Sequence, residues 1–215
     1  TLDTDVQLEG ISLDAGTTLV AGPNTITLGS NGVTGDGTLD LSGGSVVFSA
    51  IGTVTVDPST ISGSGALTKS GAGTMYLNTA TSGDAVVAEG VLAGTGNIGG
   101  ALTVQSGATY APGLSPAQVS IGSFDLDSNG LLAVDIAGAA PGSGYDQLLV
   151  ATDGNVTLDG MLDVNLTYDP DLFTTFTIID YESLTGSITG QFSEIAGSGT
   201  WEITYTGGTG NDVVL

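Results

Sequence analysis

Apolar residues in this chain fall in short alternating runs. Thr25-Ile26-Thr27-Leu28, Thr38-Leu39-Asp40-Leu41, Thr53-Val54-Thr55-Val56 and Ala101-Leu102-Thr103-Val104 each place an apolar residue at every second position, bounded by Gly, Asn, Ser or Asp. A period of two predicts strands with one buried and one solvated face. No segment of useful length carries the 3.6-residue period of a helix. After about residue 114 the predicted strands lengthen: Leu131-Leu132-Ala133-Val134-Asp135-Ile136, Met161-Leu162-Asp163-Val164-Asn165-Leu166 and Phe176-Thr177-Ile178-Ile179. The chain therefore divides softly near Pro112–Pro116. Residues 1–113 read as a Gly/Thr-rich, short-rung unit and 114–215 as its longer-strand continuation or a C-terminal β domain.

Similar phrases recur along the chain: Gly37-Thr38-Leu39-Asp40-Leu41, Gly65-Ala66-Leu67, Gly100-Ala101-Leu102-Thr103-Val104, Gly154-Asn155-Val156-Thr157-Leu158 and Gly160-Met161-Leu162. Repetition of one small unit, none of which buries its apolar face alone, predicts an all-β solenoid. A sandwich stays open for the second half.

Composition narrows what such a fold does. Of 215 residues, 23 are Asp or Glu and one, Lys69, is basic, for a formal net charge of -22; His and Cys are absent. Hydrophobic residues make up 40% and mean hydropathy is +0.32, so the acidity is not that of a disordered tail. Nucleic acid is excluded as an expected partner, because phosphates need Lys or Arg. An anionic membrane surface repels the chain, and no stretch reaches the roughly 20 apolar residues of a spanning helix. Zinc, haem and iron–sulfur sites lack their usual ligands. Oxygen ligands abound, which leaves calcium as the metal to weigh.

Four features carry candidate chemistry. Asp125/Asp127 and Asp169/Asp171 are carboxylate pairs at i, i+2, the spacing that puts both groups on one face of a strand. Catalysis on a polysaccharide normally adds a basic group for the charged sugar or the developing charge; with Lys69 alone, read as a turn residue, the expectation is no enzyme, and solvated Asp explains the pairs. The closing Gly207-Gly208-Thr209-Gly210-Asn211-Asp212-Val213-Val214-Leu215 fits the calcium nonapeptide G-G-x-G-x-D-x-U-x. It nominates Gly210, Asn211 and Asp212 as calcium ligands completed by a neighbouring chain; the favoured reading is a Gly turn into a final strand. Asp14, Asp36, Asp40, Asp57 and Asp84 lie in or near Gly-rich turns, where counterions would relieve repulsion. Trp201 and Tyr205, four apart in an expected strand, are end-cap residues or a sugar contact. The sequons at Asn155 and Asn165 carry little weight.

Several phrases resemble, in order, the repeats of bacterial autotransporter passenger domains. The first is Gly65-Ala66-Leu67-Thr68-Lys69-Ser70-Gly71-Ala72-Gly73-Thr74-Met75-Tyr76-Leu77. Then come Gly90-Val91-Leu92-Ala93-Gly94-Thr95-Gly96-Asn97-Ile98-Gly99-Gly100 and Ser106-Gly107-Ala108-Thr109-Tyr110-Ala111-Pro112-Gly113-Leu114-Ser115-Pro116. Tyr145-Asp146-Gln147-Leu148-Leu149-Val150 and the closing segment from Tyr205 also fit. The likeness spans about residues 60–215. It implies a right-handed parallel β-helix, secreted and exposed at the cell surface, in structural or adhesive proteins. Expected partners are adjoining repeats, further copies of the chain stacked into a fibre, or cell-surface glycans, with no cofactor required beyond optional calcium. Neither terminus carries a helix or charged plug, which adds the expectation of open ends that stack.

Overall fold

The computed structural model describes residues 2–113, 116–181, 188–208 and 210–215. Thr1, Leu114, Ser115 and Thr209, which belong to phrases and boundaries discussed above, lie outside the described residues. The described residues contain strands and turns but no helix. The strands are β1 (Val6–Ser12), β2 (Thr18–Val20), β3 (Thr25–Asp40), β4 (Ser45–Ser49), β5 (Thr53–Ser62), β6 (Leu67–Ser70) and β7 (Thr74–Leu77). They continue with β8 (Ala85–Val87), β9 (Val91–Gly94), β10 (Ile98–Val104), β11 (Thr109–Pro112), β12 (Gln118–Leu126), β13 (Leu131–Ile136) and β14 (Gln147–Val150). The last are β15 (Val156–Leu158), β16 (Met161–Leu166), β17 (Thr177–Tyr181), β18 (Ile188–Gly190), β19 (Glu194–Gly197), β20 (Thr204–Gly207) and β21 (Asp212–Val214).

Neighbours in sequence rarely pair. From β4 to β13 each strand pairs in parallel with the strand two further on; from β13 the step becomes three, as in β13–β16 and β16–β19. The result is one mostly parallel sheet system whose residues stack in columns. One buried column runs Ile26, Val46, Leu67, Ala85, Leu102, Phe124 and Val156. Two residues along, an inward column runs Leu28, Phe48, Lys69, Val87, Val104, Leu126 and Leu158. Between them the outward column is Thr27, Val47, Thr68, Val86, Thr103, Asp125, Thr157 and Thr189. The alternation read from the sequence is this in-out pleat. β-Branched residues suit it because each sits between like neighbours above and below.

The step from one layer to the next changes along the chain. Cross-layer contacts link residues 20 apart at Asp5–Thr25 and 17 apart at Asp84–Ala101, but 32 apart at Ser123–Asn155 and 33 apart at Gly160–Ser193. β13 and β16 have the bounds expected from the sequence. The expected contrast in strand length does not hold, since the longest strands, β3 with 16 residues and β5 with 10, lie in the first half. What lengthens in the second half is the connection. Parallel pairing continues across Pro112–Pro116, for example Leu102 with Phe124.

The two ends differ. Leu8, below Leu28 in its column, is 45% exposed. At the other end β21 pairs antiparallel with both β17 and β20, so the parallel order stops there. Trp201, Ile203 and Tyr205 fold down against the buried core beside it. That cover, two aromatics and an isoleucine, places Trp201 and Tyr205 where end-cap residues were expected, with neither a helix nor a charged plug among the described residues.

Candidate functional site

The nominated Gly210, Asn211 and Asp212 lead into β21 through a glycine turn, with Gly208 at φ +51° and Gly210 at φ +110°. The turn requires glycine at 208, because a Cβ there would collide with the Asp212 carboxylate. Asp212 is buried, and its Oδ1 accepts the backbone N–H of Tyr181 at 3.0 Å. One carboxylate oxygen therefore holds the end of β17. Among the described residues no three acidic side chains converge where they would hold a metal ion.

The same use of acids recurs along the stack. Asp5 Oδ1 accepts the N–H of Thr25 at 2.8 Å, and Asp84 Oδ1 that of Ala101 at 2.8 Å. The Asn97 side-chain oxygen accepts the N–H of Ser120 at 2.9 Å. Each is a turn residue taking a donor from the adjacent layer. The donors belong to strands β3, β10 and β12, and at Asp5 and Asp84 the charged acceptor makes the bond a strong one. Asp40 works locally: bonds from Ser42 hold its carboxyl below the usual range.

Asp146 is the most developed case, and sequence reasoning missed it. It is 2% exposed. Its Oδ1 accepts the N–H of Ala117 at 2.7 Å and its Oδ2 the N–H of Asp135 at 2.8 Å. Burial pushes its carboxyl up to about 7; the two backbone donors oppose that shift and the charge of Asp135 adds to it. Burial, with the nearby Asp146 charge, also raises the hydroxyl of buried Tyr110. Next to it, Gln147 accepts from the Gln118 side chain at 2.6 Å and donates to the Thr177 carbonyl at 2.9 Å. The sequence offered one clue: Asp146-Gln147 interrupts an apolar phrase, Tyr145 to Val150, where solvated residues are out of place.

The carboxylate pairs separate. Asp125 lies in β12 on the outward column between Thr103 and Thr157, with Asp127 just past the strand end. Partial burial, then the charge of Asp127, raises the Asp125 carboxyl. Asp169 and Asp171 are not in a strand. They sit in the connection between β16 and β17, where the Asp171 carbonyl accepts from Thr174 N–H and hydroxyl at 3.0 and 2.7 Å. No described basic group faces either pair.

Lys69 is not a turn residue. It lies inside β6 in phase with Leu67, faces inward and is fully buried. Its Nζ donates to the carbonyls of Ser70 at 3.0 Å, Gly71 at 2.5 Å and Glu89 at 3.0 Å. Burial lowers its pKa and the charge of Glu89 partly restores it. Gly90, at φ +72°, leaves room for that ammonium. The alternation Leu67-x-Lys69 in the sequence already put Lys69 at an inward position.

The expected strand pair Trp201/Tyr205 is divided. Trp201 precedes β20, packs edge-on to Phe176 at 6.0 Å and donates its indole N–H to Ser198 O at 2.9 Å. Tyr205 packs on Phe192 and its hydroxyl accepts the Phe192 N–H at 3.0 Å. Asn155 and Asn165 are both exposed, and Asn165 donates to Asp135 at 2.7 Å. No family model and no curated protein matches the chain.

Proposed function

We propose that the chain is a right-handed parallel β-helix that serves as a non-enzymatic structural or adhesive segment of an extracellular bacterial surface protein. The observation that carries this reading is the set of parallel columns that pass through both halves with one layer step after another. Right-handedness follows from the general preference of parallel crossovers. The phrases that resemble passenger repeats support the family reading, since successive ones stack: Met75 in β7 pairs with Leu92 in β9, and Leu92 with Tyr110 in β11. Asp5, Asp84, Asp146 and Asp212 support the non-enzymatic reading, because each spends its carboxylate on backbone donors of other segments. Calcium remains part of the proposal only as an outer-surface counterion or a ligand shared with a neighbouring chain.

An antibody against the purified chain tests the location: labelling of intact producing cells, or recovery from their medium, is expected. Retention of the chain inside the cytoplasm overturns the reading. Turnover of any glycan in a hydrolase screen, abolished by Asp125→Asn, overturns its non-enzymatic part.

A further inference from the structure

Two adjacent apolar side chains stand in solvent at the C-terminal end of the stack: Leu172 is 83% and Phe173 91% exposed. A lone exposed apolar residue such as Ile51 is ordinary, but a contiguous pair beside a cleft is a contact surface. Phe173 is also one of two described non-glycine residues with positive φ, at +71°. The turn that holds it is closed by Thr174 donating to the Asp171 carbonyl. A bulky residue in the left-handed region is unfavourable, and glycine would adopt it freely. The fold thus keeps a strained backbone that serves no buried contact and points an aromatic ring outward.

The turn forms one wall of an open cleft of about 610 Å³, with Trp201 and Ile203 on the other wall and Val214 and Leu215 among its lining. The charged residues of the lining, Asp171 and Glu202, are both acidic and exposed. We infer that this cleft docks a cationic, apolar polypeptide segment, with an aliphatic or aromatic side chain between Phe173 and Trp201 and Lys or Arg against Asp171 and Glu202. Charge selects this occupant. A second copy brings a net charge of -22 and a single, buried Lys69, and an anionic lipid or acidic glycan is repelled in the same way. A sugar platform is less suited, because the Trp201 indole N–H that would meet a sugar hydroxyl is already donated to the Ser198 carbonyl, whereas an apolar side chain needs no donor. The inference does not rest on the β-helix reading, because the cleft is defined by the end segment alone.

Fluorescence anisotropy with three labelled eight-residue peptides tests it: one alternating Lys and Leu, one Glu and Leu, one Lys and Ser. Saturable binding of the Lys–Leu peptide is expected, at least tenfold tighter than either counterpart. Phe173→Gly should weaken it tenfold or more while leaving the circular dichroism unchanged and the melting temperature equal or higher; Glu202→Gln should weaken it and reduce its salt dependence. Should Phe173→Gly misfold, Leu172→Ser reads the same contact. Equal binding of the Lys–Ser peptide, or Lys–Leu binding indifferent to Phe173→Gly and Leu172→Ser, overturns the proposal. So does a concentration-dependent dimer abolished by Phe173→Gly, or displacement by a neutral oligosaccharide.

Discussion

The narrow-turn and wide-turn halves of the stack solve one problem in two ways. Where a layer returns after about 20 residues, as from Asp5 to Thr25, the interior is filled mainly by aliphatic columns such as Val46, Leu67, Ala85 and Leu102, with Phe48 and Tyr110 as its buried aromatics. Where it returns after about 30, as from Gln147 to Thr177, the interior holds Phe124, Phe176 and Tyr181, with Asp146 and Gln147 buried at the wall. A longer connection encloses more volume, which aromatic side chains fill. It also carries more backbone off the ladder, and those groups need partners inside. The lesson is that turn length, more than strand length, sets the chemistry of each layer. Lys69 complicates the contrast, as the narrow half has its own buried polar anchor.

The largest effects should fall on the two interiors. Phe176 is fully buried, with edge-on contacts to Tyr145 at 5.3 Å and Trp201 at 6.0 Å. Phe176→Ala is expected to cost about 3–5 kcal/mol in urea denaturation. Lys69→Ala should cost about 2–4 kcal/mol, because it leaves a cavity in the core and takes the donor from three part-buried carbonyls. Lys69→Met restores the volume beside Phe48 and Val87 and should cost less, about 1–3 kcal/mol. If Met is as damaging as Ala, the narrow half depends on polar anchoring as much as the wide half, and the contrast fails.

Asp146 sharpens the comparison through pH. Its folded pKa, about 7, lies above the roughly 3.9 of an unfolded Asp. Between those values the native state binds more protons than the unfolded state, so stability falls as pH rises from about 4 to 7 and levels off above. Repulsion among the other acids gives a slope of the same sign. Asp146→Asn should therefore flatten the melting temperature against pH over that window without abolishing the slope, and should lower stability at pH 4, where the amide can accept only one of the two N–H donors. An unchanged slope would remove Asp146 from the account of the wide half.

How much of this was legible in the sequence follows from the range of the interactions. The pleat of β13 and β16 was readable because alternation is local. The columns were readable as repetition, through Leu67, Leu102 and their glycine-bounded phrases, because stacking repeats one environment. The burial of Lys69 was visible in its phase with Leu67, but its place in a glycine-bounded repeat phrase read as a turn. Asp146 was legible only as a polar interruption of an apolar phrase: its partners, Ala117 ahead of β12 and Asp135 inside β13, lie 29 and 11 residues away, and no period links them to it. The end cover was legible in its aromatic residues but not in its arrangement, since the Phe176–Trp201 contact joins segments outside the repeat and Trp201 lies ahead of the strand that holds Tyr205.

The smallest effect tests the outward face, which both halves share. Asp125 interrupts a column in which Thr68, Val86, Thr103, Thr157 and Thr189 are β-branched. Aspartate is disfavoured in strands and threonine favoured, so Asp125→Thr should stabilise the fold by about 0.5–1 kcal/mol. Its carboxyl is raised by burial and by Asp127, so the ionised form is the one the native state disfavours. The gain should then be larger at pH 7 than at lower pH, because a raised native pKa means that the native carboxyl takes up its proton before the unfolded one as pH falls. Matched urea midpoints at pH 7 and at lower pH measure the difference. A loss of stability instead would mean that Asp125 holds a contact in the stack that a threonine ladder does not replace, and that the outward face is as specialised as the two interiors.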